Sequence, residues 1–238
     1  MAKHKGRLFL VPSPIADDGL VSISPEAIRI LHSLDYFIVE RARTSRRYIS
    51  ATQHPRSIGE MVFEEMPEEV KDLVLLEKQL QPLLEGRDIG ILSEAGLPAI
   101  ADPGSRYVAI AQQMGIQVIP ISGPSSIIMA LMASGMEGQR FAFHGYLSAK
   151  KDELGKQLKD LERRADRDDA TQIWIETPYR NRQMMEIAGV NLDGHRMFGI
   201  AANLGSENGF VRTRRIVEWK KKEGWPEFHK IPAVFLMK

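Results

Sequence analysis

The apolar run Ile89-Gly90-Ile91-Leu92 leads straight into the Gly/Pro-rich block Ser93-Glu94-Ala95-Gly96-Leu97-Pro98-Ala99-Ile100-Ala101-Asp102-Pro103-Gly104-Ser105, and no other stretch constrains this chain as much. Such a run reads as a buried strand, and a strand that ends in such a block builds a ligand crevice. In an open α/β sheet small molecules bind beyond the carboxyl ends of the strands. There glycine lets backbone approach closely and the next helix presents free N–H groups. Two more turns repeat the arrangement: Pro12-Ser13-Pro14-Ile15 follows Leu8-Phe9-Leu10-Val11, and Ser122-Gly123-Pro124-Ser125-Ser126 follows Val118-Ile119-Pro120-Ile121. Singly, each is ordinary punctuation between elements; the ordered set of three points to a binding site.

The surrounding pattern predicts an α/β protein. Strands are expected at Arg7–Val11, Tyr36–Val39, Asp88–Leu92 and Gln117–Ile121, alternating with helical patterns, which implies a largely parallel sheet. Ser24 is placed to cap a helix that opens with Pro25 and Glu26, with Ile28, Leu31 and Leu34 facing the sheet. From Met66 to Gly86 the pattern is helical, and Pro82 is expected to kink or break it into two pieces, with Leu73, Leu76 and Leu80 on the first. Beyond Ser122 the rhythm changes. A small-residue helix runs from Ser125 to about Ala133, a strand lies near Phe141, and a highly charged surface helix covers Lys150–Asp168. Strands are expected at Gln172–Glu176, Met197–Asn203, Phe210–Trp219 and Ala233–Met237, some antiparallel through the turn at Asn208-Gly209. The second half is therefore expected to hold a mixed sheet, with the boundary at residues 121/122.

Composition narrows the function. The 238 residues, 43% hydrophobic, suffice for two compact cores, and 32 basic against 31 acidic residues exclude nucleic-acid binding by bulk charge alone. With no cysteine there is no disulfide, thiolate nucleophile or Cys-type zinc site, and the six histidines show no metal-ligand spacing, so no structural metal is expected. No signal segment or bilayer-length apolar run is visible, which makes the expected compartment the cytoplasm. The first strand is not followed by Gly-x-Gly-x-x-Gly, which argues against a Rossmann-type dinucleotide site.

Together the motifs resemble the tetrapyrrole methylase superfamily, the class III S-adenosylmethionine-dependent methyltransferases. Within it they resemble the branch of the bacterial small-subunit ribosomal RNA 2′-O-methyltransferases. That branch carries Pro-Thr-Pro-Ile-Gly, Ser-Asp-Ala-Gly-x-Pro-x-x-x-Asp-Pro-Gly, Pro-Gly-Pro-Ser-Ala and Tyr-Glu-Ser-Pro-His-Arg. The counterparts here are Pro12–Ala16, Ser93–Gly104, Ile121–Ser126 and Ile175-Glu176-Thr177-Pro178-Tyr179-Arg180. The resemblance implies two α/β domains, 1–121 with a mostly parallel sheet and 122–238 with a mixed one, and a cleft between them for S-adenosylmethionine. The implied cofactor contacts are Pro12, Ile15, Glu94, Leu97, Ser125, Ser126, Ile175, Glu176, Ala202, Asn203, Pro232 and Ala233. It also implies a homodimer.

Three departures mark the chain as divergent. Glu94 replaces the branch's aspartate and is one methylene longer; read without the family, it is a helix-end charge or a loop acid. Glu40-Arg41-Ala42-Arg43 stands for Glu-Asp-Thr-Arg, and Ala202-Asn203-Leu204-Gly205-Ser206 for Arg-Glu-Leu-Thr-Lys. The residues left to handle a methyl acceptor are Glu40, Arg43, Glu176, Tyr179 and Arg180, although Glu40 could instead pair with an arginine and Tyr179-Arg180 could cap a helix. Asp102, in Asp-Pro-Gly, reads as a structural cap.

Five arginines and no acid lie between Arg41 and Arg56, with Tyr48 among them. Arginines grip phosphates and a tyrosine can stack on an unpaired base, so RNA is one reading and a solvated helix face or oligomer contact the other. Arg212, Arg214, Arg215 and Lys220–Lys222 suit RNA or edge-strand protection equally. The leading expectation is methyl transfer to RNA, with a ribose 2′-hydroxyl of 16S ribosomal RNA as the specific acceptor. The alternatives are a tetrapyrrole (precorrin-type) methyltransferase and a non-catalytic cofactor sensor or ribosome-associated protein.

Overall fold

The computed structural model describes residues 4–16, 19–67, 73–221 and 225–238. Its internal contacts divide the chain into Met1–Ser125 and Ser126–Lys238, whereas the sequence pattern alone marks 121/122.

In the first unit, five parallel strands are ordered β3-β2-β4-β1-β5, with β1 Leu8–Leu10, β2 Tyr36–Val39, β3 Val62–Glu65, β4 Ile89–Leu92 and β5 Val118–Pro120. Both faces are covered, which is why β2 and β4 are buried throughout. Successive side chains alternate between the faces. Leu8, Ile38, Ile89 and Ile91 pack with Leu76, Leu80 and Leu83 of α3 (Leu73–Leu84) and Tyr107 and Ile110 of α4 (Gly104–Gln113). Phe9, Phe37 and Val39 pack on the other side with Leu31 of α1 (Pro25–Leu31), Leu34 and Ile49 of α2 (Ala42–Ala51). Each such side chain stabilises the unit by about 1.5–3 kcal/mol.

The α1 cap forms as expected: Ser24 accepts from the Ala27 N–H at 3.1 Å. Ala27 rather than Ile28 joins Leu31 on the buried face. Of the kink or break expected at Pro82 there is no break, because α3 runs through it as one helix to Leu84. Pro82 lies in the last turn, where its missing N–H forfeits one bond, to the carbonyl of Lys78 on the exposed face, and the chain leaves the helix two residues later. Leu73, Leu76 and Leu80 fall in this helix as expected, Leu76 and Leu80 buried and Leu73 53% exposed at its first position. The expected helical stretch between Met66 and Leu73 falls on residues 68–72, outside the described residues.

The second unit has a mixed sheet ordered β6-β7-β10-β8-β9: β6 Phe141–Tyr146, β7 Thr171–Glu176, β8 Met197–Ala202, β9 Phe210–Arg215 and β10 Ala233–Met237. Only β6·β7 is parallel; the other pairs are antiparallel. Trp174, Phe198 and Phe235 stack on one face beneath α6 (Lys151–Asp168) and α7 (Asn181–Asn191). Ile127, Ala130 and Leu131 of α5 (Ser126–Ser134) cover the other. The highly charged α6 is surface on one side and buries Leu154, Leu158, Leu161 and Ala165 on the other. The strand expected over Phe210–Trp219 ends at Arg215. The Arg215 N–H donates to Glu218 at 2.8 Å and opens the short helix α8 (Ile216–Trp219), which buries Ile216 and Trp219. Among the described residues no helix is long and apolar enough to cross a membrane.

Candidate functional site

In the first unit the three Gly/Pro turns interlock. Ser13 and Gly96 exchange backbone hydrogen bonds, 2.9 Å from the Ser13 N–H and 3.0 Å from the Gly96 N–H, and the Ser13 hydroxyl donates to the Ser93 carbonyl at 2.8 Å. Gly96 sits at φ +78°, where a side chain is strained, in van der Waals reach of Ile15 and the Pro124 carbonyl. A β-carbon on Gly123 would lie 2.1 Å from Pro12 Cβ and 3.4 Å from Leu97, so only glycine lets the β5 turn close on the β1 turn. Pro12, Ile15 and Leu97, read from sequence as binding residues, are thereby brought together. Ser125 is buried at the end of the third turn, and Ser126 is the first residue of α5.

The β4 turn is held from two directions. Asp102 accepts the Ala99 N–H at 2.8 Å and the Gly104 N–H at 2.7 Å, fixing Ala99 and Ala101 in left-handed backbone (φ +67° and +61°) and satisfying the first amide of α4. This is the structural role read for it. Burial raises its pKa against those two amides. From β2, Glu40 accepts the Glu94 N–H at 3.0 Å. Burial raises the Glu40 pKa; the Glu94 amide opposes this and the Asp102 charge adds to it. Thr44 of α2 donates to Glu94 Oε2 at 3.3 Å. The other oxygen, Glu94 Oε1, is buried without a hydrogen-bond partner. A buried carboxylate oxygen with no donor carries a large desolvation cost, and a donor supplied by a ligand would remove it.

The arginine-rich segment around α2 corrects one expectation. Tyr48 does not offer its ring for base stacking: its hydroxyl donates to the Pro12 carbonyl at 3.0 Å, its ring packs into the core, and burial raises its pKa. Arg56 pairs with Asp35, and Arg46 lies 5.0 Å over the Phe63 ring. Arg41, Arg43 and Arg47 are exposed. Sequence reading missed Thr44 and Ser13 and misassigned Tyr48. The overlooked signal is the four-residue spacing Glu40, Thr44, Tyr48.

In the second unit, strand register gathers the other sequence-predicted residues at one end of the sheet. Ala233 pairs with Glu176 on one side and Ala202 on the other, Val234 pairs with Ile175, and the Asn203 N–H donates to the Pro232 carbonyl at 3.2 Å. Asn203 is left-handed (φ +52°), and the Ser206 N–H and hydroxyl both donate to its carbonyl. Glu176, with its side chain 1% exposed, accepts from the Thr177 N–H at 2.6 Å and from Arg180 at 2.7 and 2.5 Å. Tyr179, next to that pair, is 73% exposed. On the edge strand β9, Arg212 and Arg214 lie over Phe210 and Trp219. Of the basic group that follows, Lys222 is outside the described residues.

Comparison with known proteins adds an independent line. The sequence profile of the tetrapyrrole (corrin/porphyrin) methylases matches residues 7–217. Ribosomal RNA small subunit methyltransferase I of Vibrio cholerae is 32% identical over 197 residues, covering 83% of this chain and 64% of its own length. The protein of that name from Bacillus subtilis is 32% identical over 221 residues, covering 92% and 71%. The chain thus spans slightly less than two thirds of the Vibrio relative. Among solved structures, the methyltransferase CobJ superposes with TM-score 0.63 at 16% identity, covering 98% of this chain and 93% of its own. Uroporphyrin-III-C-methyltransferase from Thermus thermophilus gives 0.53 at 17%, covering 98% and 91%. At such identities the likeness is one of fold.

Proposed function

The chain belongs to the tetrapyrrole methylase family, and from that premise we propose that it is an S-adenosylmethionine-dependent methyltransferase acting on ribosomal RNA, with a ribose 2′-hydroxyl of 16S ribosomal RNA as acceptor. The observation that carries the reading is Glu94 Oε1, a buried acceptor without a donor in the turn after β4. A ribose supplies hydroxyl donors of the kind that oxygen lacks, so the residues fit the cofactor.

When bound, the cofactor supplies an electrophilic methyl group on a sulfonium sulfur. In this reading Glu94 accepts from the ribose hydroxyls, and Pro12, Ile15 and Leu97 give the apolar surface that excludes water. Ser125 and Ser126 bring N–H and hydroxyl donors to the start of α5, where a carboxylate is favoured by about 0.3–1 kcal/mol when exposed. Backbone at Ile175-Glu176, Ala202-Asn203 and Pro232-Ala233 holds the adenosine. Arg43, exposed on α2, suits an RNA phosphate. Glu40 and Arg180 act by holding Glu94 and Glu176 rather than by meeting the acceptor, since both are committed to those contacts. A cytoplasmic location and a homodimer belong to the same proposal. The relatives' name, ribosomal RNA small subunit methyltransferase I, supports RNA over a tetrapyrrole.

The test is transfer from methyl-tritiated S-adenosylmethionine to small ribosomal subunits and, separately, to uroporphyrinogen III. Label in 16S ribosomal RNA, recovered in an alkali-resistant dinucleotide because a methylated 2′-oxygen cannot attack its phosphate, is expected. Label in the tetrapyrrole, or in neither with folded protein, contradicts the proposal.

A further inference from the structure

Three side chains spaced by four residues reach from the β2–α2 segment to the interlocked turns. Glu40 accepts the Glu94 N–H at 3.0 Å, Thr44 donates to Glu94 Oε2 at 3.3 Å, and Tyr48 donates to the Pro12 carbonyl at 3.0 Å. Within α2, Thr44 and Tyr48 share a face because residues four apart are helical neighbours. Ser45 and Ile49 on the adjacent stripe anchor the helix in the core. The helix and the loop residue that leads into it thus hold the backbone of the β4 turn, its carboxylate, and the backbone of the β1 turn.

We infer that Glu40, Thr44 and Tyr48 form a positioning stripe that sets the Glu94 carboxylate for the cofactor's ribose. The inference rests on the methyltransferase reading and deepens it. A glutamate one methylene longer than the family's aspartate has an additional torsion to fix. The Thr44 hydroxyl fixes it by occupying Oε2, leaving Oε1 as the one oxygen turned to the buried, donor-free side. Glu40 fixes where that side chain starts. Tyr48 ties the same helix to Pro12, so the apolar surface and the carboxylate keep one spacing. Because the Tyr48 hydroxyl is engaged and its ring is partly buried against the core, its contribution is positional.

The test uses the full chain with Thr44→Val, Thr44→Ser and Tyr48→Phe, read in two ways. In ligand-free protein, amide hydrogen exchange at Ser13 and Gly96 should quicken in Thr44→Val and Tyr48→Phe, and Thr44→Ser should match the parent. In calorimetric titration with S-adenosylhomocysteine, Thr44→Val should bind about threefold and Tyr48→Phe about fivefold more weakly, with Thr44→Ser restoring affinity. Unchanged exchange at both turns overturns the stripe. So does faster exchange without weaker binding in a protein whose parent binds. If the parent binds no S-adenosylhomocysteine, the methyltransferase reading fails, and the ligand role of the stripe is overturned with it; the exchange arm shows whether the contacts alone survive.

Discussion

Glu94 and Glu176 stand in the same kind of place, just beyond or at the carboxyl end of a strand, and differ in what is left for a ligand. Glu176 faces a positive charge: Arg180 and the Thr177 N–H converge on its Oε1, in a carboxylate almost wholly withdrawn from water. Glu94 is half satisfied, with Thr44 on one oxygen and nothing on the other. A buried carboxylate with an arginine against it holds structure, whereas one whose buried oxygen has neither cation nor donor is costly until something binds. In the proposed reading Glu94 is the side-chain acceptor for the ribose, and Arg180 holds the Glu176 segment in place.

Breaking the Arg180–Glu176 ion pair should have the largest effect. Arg180→Met leaves Glu176 as an unpaired buried charge and should cost about 3–5 kcal/mol of stability in chemical denaturation. Adding Glu176→Gln should recover much of it. If Arg180→Met keeps its stability and loses only methyl transfer, the pair works on substrate and the contrast collapses. Next comes the close approach of the turns. Gly123→Ala forces Pro12 aside, and overpacking against a rigid ring should cost about 1–3 kcal/mol and abolish S-adenosylhomocysteine binding. Near-normal binding would show that the β1 and β5 turns need not touch.

Sequence reading succeeded where chemistry forces geometry. Glycines and prolines that permit only one approach made the three turns legible, and apolar runs bounded by such turns marked most strands, whereas Pro12, Ile15, Glu94 and Leu97 within those turns were singled out by the family resemblance. β3 escaped because Val62-Phe63-Glu64-Glu65 is short, lies at the sheet edge and carries two acids. α8 was read as strand because Ile216-Val217 prolongs the β-branched pattern of β9, and only Glu218 reaching back to Arg215 reveals the turn. Thr44 and Tyr48 were obscured by the arginines around them. Their partners lie 50 and 36 residues away in sequence, so their role depends on the tertiary fold.

The smallest effect is a pH dependence. Burial raises the Glu40 pKa in the folded protein, so folded protein binds more protons than unfolded between the ordinary glutamate value and the raised one. The contribution of Glu40 to stability is therefore full below the ordinary value and declines as pH rises through that window. Glu40→Gln keeps an acceptor for the Glu94 amide and should flatten this slope in denaturation series run across the acid range. An unaltered slope would mean that Glu40 is as solvated folded as unfolded.

The central claim is that Glu94 is an acceptor waiting for a ribose. Calorimetric titration of ligand-free protein with S-adenosylhomocysteine, beside Glu94→Ala, tests it most directly. The account predicts saturable one-site binding by the parent, weakened about tenfold or more in the variant, since hydrogen bonds to a charged group contribute about 1.5–3 kcal/mol, with thermal stability retained. Equal affinity in both proteins, or no binding by a folded parent, would contradict it.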